Sequence, residues 1–391
     1  MLGFRQFIVE SPTVAAPEDG ISHSDHAADL SFRGKSQARH ALRLLRGVAT
    51  GSVPVTEKMD DKISFHAIKT PEGKIAIKYK GKGSHYDYSV ADIEKQHGHK
   101  PYKAESLKAA FKNLHKILPD EPGEYQGGVM STPDIARATE GGRVGHTPNL
   151  IKYSYPENSP EGRKLAKSKV SLTIHTKLTG EKRNPEQILD QSNFKSHPDV
   201  HLVHHTVSKE EQKLAPSDKK IVLGHLSSAQ KLMKDHSYDH LTQHNHPQML
   251  ESYINSTVLT DEKPTVKGYR AHVEAYHNKK INAVKTEKAK ASKAADRDAA
   301  LNHIDQNREA FQRSLDIHHH LQSAANHLAD SLDKNTQPRK KQAGLETTIN
   351  GNESGGEGYM APGGIKVVNR PRVSKNLLGR SAALKAGKET K

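Results

Sequence analysis

Apolar residues recur along this chain with two periods, and the change from one to the other divides it. Ala38, Ala41, Leu42, Leu44 and Leu45 fall near a 3.6-residue repeat, which predicts a helix over residues 36–48 that ends at Gly47 and Gly51. Alternation then takes over in residues 53–56, 63–68 and 75–79, which predicts strands, with Pro71-Glu-Gly73 as the turn between the last two. A helical period returns over 103–118 through Leu107, Phe111, Leu114 and Ile117. Strand-like runs follow at 125–130 and 170–176, with a third candidate over 147–155.

From about Ser208 the pattern is mostly helical, to about residue 335. Within it, residues 287–332 are rich in alanine and charge, with a sparse stripe of Phe311, Leu315, Leu321, Leu328 and Leu332. That stripe suits a helical hairpin or small bundle better than a long coiled coil. Residues 335–354 read as a polar linker. Beyond it, Glu357-Gly-Tyr-Met-Ala and Ile365-Lys-Val-Val flank Pro362-Gly-Gly, the pattern of a hairpin. An isolated hairpin is marginal in water, so the simplest arrangement returns these runs to the N-terminal β region and makes the helical block an insertion. The expected divisions are a lead and helix at 1–50, a β core at 51–208, a helical insertion at 209–345, returning strands at 346–372 and a basic tail at 373–391. The fold class expected is α+β with antiparallel sheet.

The 391 residues suffice for two or three domains, and with a third of them apolar the core is lean. Lys and Arg outnumber Asp and Glu by 60 to 45, which argues for a polyanionic partner, nucleic acid first. Residues 366–391 hold eight Lys/Arg against one Glu, yet the excess is present in the body too. The absence of cysteine excludes disulfides, thiolate zinc sites and a cysteine nucleophile, and fits a reducing compartment. No segment approaches the length of a membrane-spanning helix, and residues 1–10 carry no long apolar stretch of a signal peptide, so no membrane partner is expected.

Candidate chemistry begins in Val55-Thr-Glu-Lys-Met-Asp-Asp61, where Lys58 follows one β run and precedes the next. An amine attacks phosphorus only when neutral. A free lysine, with pKa about 10.4, is neutral in fewer than about one molecule in a thousand at pH 7. Lowering it to 7–8 takes roughly 4 kcal/mol, which burial, neighbouring lysines and a divalent cation can supply. The opposing reading is a solvated lysine at a strand end. Lys78, Lys80 and Lys82 form a glycine-spaced basic segment that suits phosphates or an exposed hairpin end equally. Lys152 and Tyr153 are candidates to line a pocket. Of the 26 histidines, His201-Leu-Val-His-His205 and His318-His-His320 invite a metal reading, but their spacings match no closed site. His244-Asn-His246 spells a nuclease-like triplet without a ββα context. These histidines read as surface or helix-face residues. Neither a Walker loop nor a Gly-x-Ser-x-Gly elbow is present.

The Lys58 segment resembles the nucleotide-attachment motif of the covalent nucleotidyltransferases, the DNA/RNA ligase superfamily, whose pattern is Lys, any residue, Asp or His, Gly. The likeness to phage RNA ligases that seal nicked duplex RNA includes Glu57 and the alternation after the lysine. A His/Asp-containing lead, a helix and then the lysine is similar to an uncharacterised family of large tailed phages. Glu357-Gly-Tyr-Met-Ala resembles the superfamily's Glu-Gly-apolar-apolar motif, and Ile365-Lys366-Val-Val the lysine-bearing run after it. For the middle motif, an apolar run ending in Gly-Glu or Gly-Asp, Gly123-Glu-Tyr-Gln-Gly-Gly-Val-Met offers two registers. One uses Gly123-Glu124; the other aligns Gly127 and puts Gly128 where the acid belongs. Asp61 also replaces the glycine of the lysine motif, where a side chain crowds the turn or the ribose.

The resemblance covers about residues 1–180 and 345–370. It implies an antiparallel-sheet nucleotidyltransferase domain, ATP-grasp-like in the manner of ligase adenylation domains, with the helical insertion unexplained. It implies ATP and Mg²⁺ or Mn²⁺, with Lys58 forming a covalent lysyl-AMP and Asp60 orienting the lysine or nucleotide. Glu357 is the implied metal carboxylate and Lys366 the phosphate contact. Glu57 and Glu124 are implied at the nucleotide, and Tyr125 is a candidate stacking face for the base on pattern alone. The implied acceptor is an RNA or DNA end, and the insertion could bind nucleic acid or dock another phage protein. The 25 residues after Lys366 hold no OB-fold, which favours a minimal RNA-ligase-like enzyme. Such a protein belongs in the host cytoplasm or with the virion. The departures at Asp61 and Gly128 keep an alternative open: a catalytically inactive ligase-fold phage protein with a nucleic-acid-binding or structural role.

Overall fold

A computed structural model describes residues 25–80, 85–132, 139–149, 151–181, 183–260, 263–349 and 351–374. The lead before Asp25, Lys82 and the tail from residue 375 lie outside the described residues. The first half comprises α1 (Lys35–Thr50), β1 (Thr56–Glu57), β2 (Ile63–Lys69), β3 (Ile75–Tyr79), α2 (Val90–His97), α3 (Pro101–Leu114) and β4 (Gly123–Ser131). It continues through β5 (Thr139–Glu140), β6 (Arg143–His146), β7 (Lys152–Pro156), α4 (Pro160–Lys167), β8 (Val170–Thr179), β9 (Asn184–Gln187) and β10 (Val200–Leu202). Helices α5 (Pro216–Met233), α6 (His246–Thr260), α7 (Val266–Asn282), α8 (Glu287–Gln306) and α9 (Arg308–Gln342) follow. The chain closes with β11 (Glu346–Ile349), β12 (Asn352–Glu353), β13 (Tyr359–Ala361) and β14 (Ile365–Val367). The class is α+β, with antiparallel pairing throughout the described sheets except for β10 on β8. No described helix is long and apolar enough to cross a membrane.

Alternation in the strands sorts side chains to two faces of one sheet, ordered β10-β8-β4-β2-β3 with β9 on β8. Ile63, Phe65, Ala67, Ile77, Tyr125, Leu172 and Ile174 point to one face and close over Leu107, Ala110 and Leu114 of α3. The residues between them give the other face its polar character: Ser64, His66, Gly128 and Thr173 are neighbours across β2, β4 and β8. A second sheet, β12-β11-β7-β6-β5, joins a returning strand to the first half through Thr347↔Tyr153. A third, β1-β13-β14, joins Thr56 to Met360 and Met360 to Lys366.

The helical region does not stand apart from the N-terminus. Leu42, Leu45 and Val48 of α1 share one apolar core with Val222 and Leu226 of α5 and with Leu321 and Leu328 of α9. The expected linker over 335–354 is also replaced by structure. Helix α9 runs through Pro338 to Gln342, and β11 and β12 follow. Proline removes one i→i−4 bond, but tertiary contacts carry the helix past it. Leu332, Thr336 and Lys340 fall on one buried face, and the Asn335 amide donates to the Glu211 carbonyl at 2.8 Å.

Candidate functional site

The Lys58 segment is held from both sides by chain that lies far away in sequence, just after β10 and just before β13. The Glu57 amide donates to the His205 carbonyl and the Lys58 amide to the Gly358 carbonyl, each at 2.8 Å. Glycine at 358 has a local cause. Its φ is +136°, and a Cβ there would stand 2.7 Å from Val368 Cγ2, so only glycine lets β13 pass this close. The preceding Glu357 is thereby aimed at Lys58, whose Nζ donates to Glu357 Oε2. On β14, one strand further, Lys366 turns into the same space.

That space is a cavity of about 210 Å³ whose lining includes Lys58, Lys80, Lys366, Asp61, Thr173 and His175. Two larger cavities, about 610 Å³ each, lie elsewhere. One is lined by Arg163, Lys164, Lys167 and Lys195 on the surface, the other by His244, His272 and Tyr276 among the helices. The smaller one stands out because Lys58, Lys62, Lys80 and Lys366 all line it together with Asp61, and Lys58 is paired with Glu357.

Electrostatics in the cleft follow from burial and crowding. Burial acts against the charged Lys58 amine, yet Glu357, aided by Asp61 and Asp60, outweighs it and raises the pKa above the usual lysine value. A nucleophilic lysine is expected to be lowered; in the free protein the opposite holds, because the amine already has a half-buried counter-ion in contact with it. Lys80 is the amine that is lowered, to about 8, by burial and by repulsion from Lys366 and Lys58, with Asp61 opposing. Lys366 is lowered too, by burial and by Lys58. Burial pushes Asp61 up to about 6 against the pull of Lys58 and a hydrogen bond from Ser64. His175 falls to about 3 through burial and the charges of Lys80 and Lys58, so it stays neutral.

Other residues singled out in the sequence lie elsewhere. Glu57 borders the cavity, and its carboxylate pairs with Arg339 and, at 3.0 Å, with Lys340 of α9, which commits that carboxylate to the helices. Asp60 fixes the lysine loop: its carboxylate accepts from the Ile151 amide and the Asn149 side chain, both at 3.1 Å, and its own amide donates to Tyr153 Oη at 2.9 Å. Asp60 is therefore a positioning residue, and Tyr153 its support. Glu124 sits at the far end of β4, about 13 Å along the strand from Gly128. There it accepts from Arg183 Nε at 2.9 Å and from Tyr86. Burial opposes that charge, but hydrogen bonds from His66, Arg183 and Tyr86 hold Glu124 down at about 2. Tyr125 points to the opposite face, buried against Phe194 with ring centres 5.7 Å apart, because successive strand residues alternate. It offers no face to a base. Lys78 lies over the Tyr86 ring at 4.8 Å, and Lys152 does not line the cavity.

Thr173 and His175 of β8 line the cleft but were not singled out by the sequence. Their signal was the polar alternation of that strand; which strands flank it was not readable. Asp61 stood out only as a departure from a motif.

The donor set bears on a divalent ion. Among the described residues no group of three or more His, Asp or Glu is disposed to hold a metal. Asp61 lines the cavity and Glu357 contacts Lys58, which also lines it, and Mg²⁺ characteristically uses one or two carboxylates with substrate phosphates and water. The site fits an ion that arrives with a phosphate, not one caged by protein.

A family described as "Family of unknown function (DUF6267)" matches residues 79–378, most of the chain, and the protein belongs to it. Glu357 and Lys366 fall within the matched span, whereas Lys58 and Asp61 precede it. No curated protein and no solved structure matches.

Proposed function

We propose that the Lys58 cleft is the nucleotide-attachment site of an ATP-dependent, polynucleotide ligase-like nucleotidyltransferase, and that the antiparallel sheets around it form a nucleotidyltransferase fold. The observation that carries this reading is the meeting of Lys58 with Glu357, 299 residues apart, where Lys58, Lys366 and Lys80 line one small polar cavity. Three amines in so little space repel one another, and a triphosphate relieves that repulsion. A cavity of about 210 Å³ is below the usual pocket range of roughly 300–1,000 Å³. It suits the reacting phosphates and leaves most of the nucleoside outside, with Met59, Tyr79 and Met360 as the apolar part of the lining.

A divalent ion bound with the phosphates would neutralise their charge, and Glu357 and Asp61 are the carboxylates available to it. With Glu357 so engaged, Lys58 loses its counter-ion and is left buried beside two other amines. Both conditions lower its pKa and favour the neutral nucleophile. The ammonium releases one proton to solvent; the neutral Nζ then bonds to the α-phosphorus as the bond from that phosphorus to the bridging oxygen breaks, pyrophosphate leaves with that oxygen, and the nitrogen releases a second proton to solvent. Lys80 and Lys366 stabilise the charge that moves to the leaving oxygens. For the acceptor we favour a nucleic-acid end; the surface groove with Arg163, Lys164, Lys167 and Lys195 is a polyanion track.

Incubation with ATP radiolabelled at the α-phosphate, with Mg²⁺ or Mn²⁺, tests the reading after denaturing electrophoresis. A covalent label that is acid-labile, base-stable, absent from Lys58→Ala and retained at lower rate by Lys80→Ala is the expected result. Label mapped to Lys80 would move the nucleophile. No label from folded protein with either ion overturns the enzyme and leaves a non-catalytic polyanion pocket, a reading that the tight Lys58–Glu357 pair would then explain.

A further inference from the structure

Two positions set this chain apart from the motifs it resembles, Asp61 and Gly128, and the fold puts one directly on the other. Gly128 lies on the polar face of β4, opposite Ser64 of β2 and Thr173 of β8. A Cβ built on Gly128 would stand 2.1 Å from Asp61 Oδ2, 2.4 Å from its Cβ and 2.5 Å from its Cγ. No side chain at 128 can coexist with the present Asp61. The volume that a β4 side chain would fill is taken by the Asp61 carboxylate, which arrives from the loop between Lys58 and β2. Ser64 Oγ donates to both of its oxygens, at 2.9 and 3.0 Å, and fixes it there. The carboxylate faces the cavity that Lys58, Lys80 and Lys366 share.

We propose that Asp61 supplies, from the lysine loop, the carboxylate that this pocket would otherwise carry on β4 at position 128, so that Asp61 and Gly128 form one exchangeable unit. The proposal rests on the nucleotide reading above and deepens it: Asp61 is the second carboxylate, beside Glu357, for a cation-complexed nucleoside triphosphate. The two departures then cancel. A glycine at both positions would leave the lysines with a single carboxylate and a void over β4; an acid at both would force two carboxylates into one volume. The exchange also explains why a side chain is tolerated after the Lys-x-Asp triplet, since Asp61 leans over a residue without a Cβ.

The experiment compares wild type with Asp61→Gly, Gly128→Asp, the double exchange and Asp61→Asn. Each is measured for melting temperature without nucleotide and for ATP affinity, with and without Mg²⁺, by calorimetry. Asp61→Gly should weaken Mg²⁺-dependent ATP binding roughly 10–100-fold, the range seen when a supporting ligand is lost from a metal site. Asp61→Asn, which keeps the shape, should lose the Mg²⁺-dependent part of the affinity while melting like wild type. Gly128→Asp alone should melt lower, and the double exchange should recover both the melting temperature and most of the affinity. A double exchange that binds ATP no better than Asp61→Gly, with wild type binding normally, overturns the inference and leaves the nucleotide reading standing. Gly128→Asp melting like wild type overturns the shared volume. Wild type that binds no ATP with Mg²⁺ removes the nucleotide reading, and the cation-binding role of Asp61 falls with it; recovery of melting in the double exchange then reports the packing alone.

Discussion

The lysine cleft and the histidine-rich helices crowd titratable groups to a similar degree, and they resolve the crowding in opposite ways. Among the helices, His236 and His240 both engage Ser314 Oγ, at 2.9 and 3.0 Å, and His246 Nδ1 meets Tyr269 Oη at 2.6 Å. His240 and His246 pack on Phe311, each 4.7 Å from it between ring centres. Burial, with smaller contributions from neighbouring charges, lowers their pKa values to about 4 for His236 and His240 and about 3 for His246, so at neutral pH they are uncharged core. Histidine escapes the cost of burial by losing its proton. The lysines of the cleft do not. Lys58 keeps its charge through Glu357, while Lys80 and Lys366 repel it across open space. A cluster that neutralises itself and fills its own volume is structure; one that leaves charge facing a void calls for a ligand. Histidine was the louder signal in the sequence and the weaker pointer to a site.

The contrast breaks hardest at the seam between the two regions. Lys340 on α9 is 2% exposed and pairs with Glu57, itself 7% exposed, immediately before Lys58. Glu57→Ala strands a buried cation and should cost about 3–5 kcal/mol, read as a fall in the urea midpoint, with a Lys340→Met partner recovering part of it. An unchanged midpoint would show that the helices do not brace the lysine loop.

Acid should separate the regions next. Unfolded histidines take up a proton near pH 6.5, whereas the three buried rings do so only near 3–4. Between those values the unfolded state binds more protons, so stability is full above about pH 6.5 and falls as the pH drops toward 4. At pH 5 the loss is about 2 kcal/mol for each ring. Thermal melts followed by circular dichroism at pH 7.5, 6 and 5 should show a progressive decrease; a flat profile would mean that these rings are solvated. The smallest effect expected is that of Ser314→Ala, which removes the shared hydroxyl of His236 and His240 and should cost about 1–3 kcal/mol in the same melts.

Local pattern and tertiary context divide the remaining credit. Residues 36–48, 63–68, 75–79, 125–130 and 170–176 announced their elements, because amphipathic periods are written in neighbouring residues. The run 335–354 did not: Asn, Lys and Pro338 argue for a linker, and tertiary contacts, among them those with Glu211 and Glu57, carry the helix through. In the site, Lys58, Glu357 and Lys366 were legible as a series, whereas Glu124 and Tyr125 lie away from the cavity and Glu57, at its border, has its carboxylate paired to α9.

The sequence by itself determined the α+β class, the periods of the main helices and strands, the positive charge and the ordered set of lysines and carboxylates. Tertiary structure alone decided which of them share a cavity, that Lys58 is clamped by Glu357, and that Asp61 fills the space above Gly128. The reason is physical: periodicity depends on residues a few places apart, but a pKa or a shared volume depends on distances in space between strands nearly the whole chain apart.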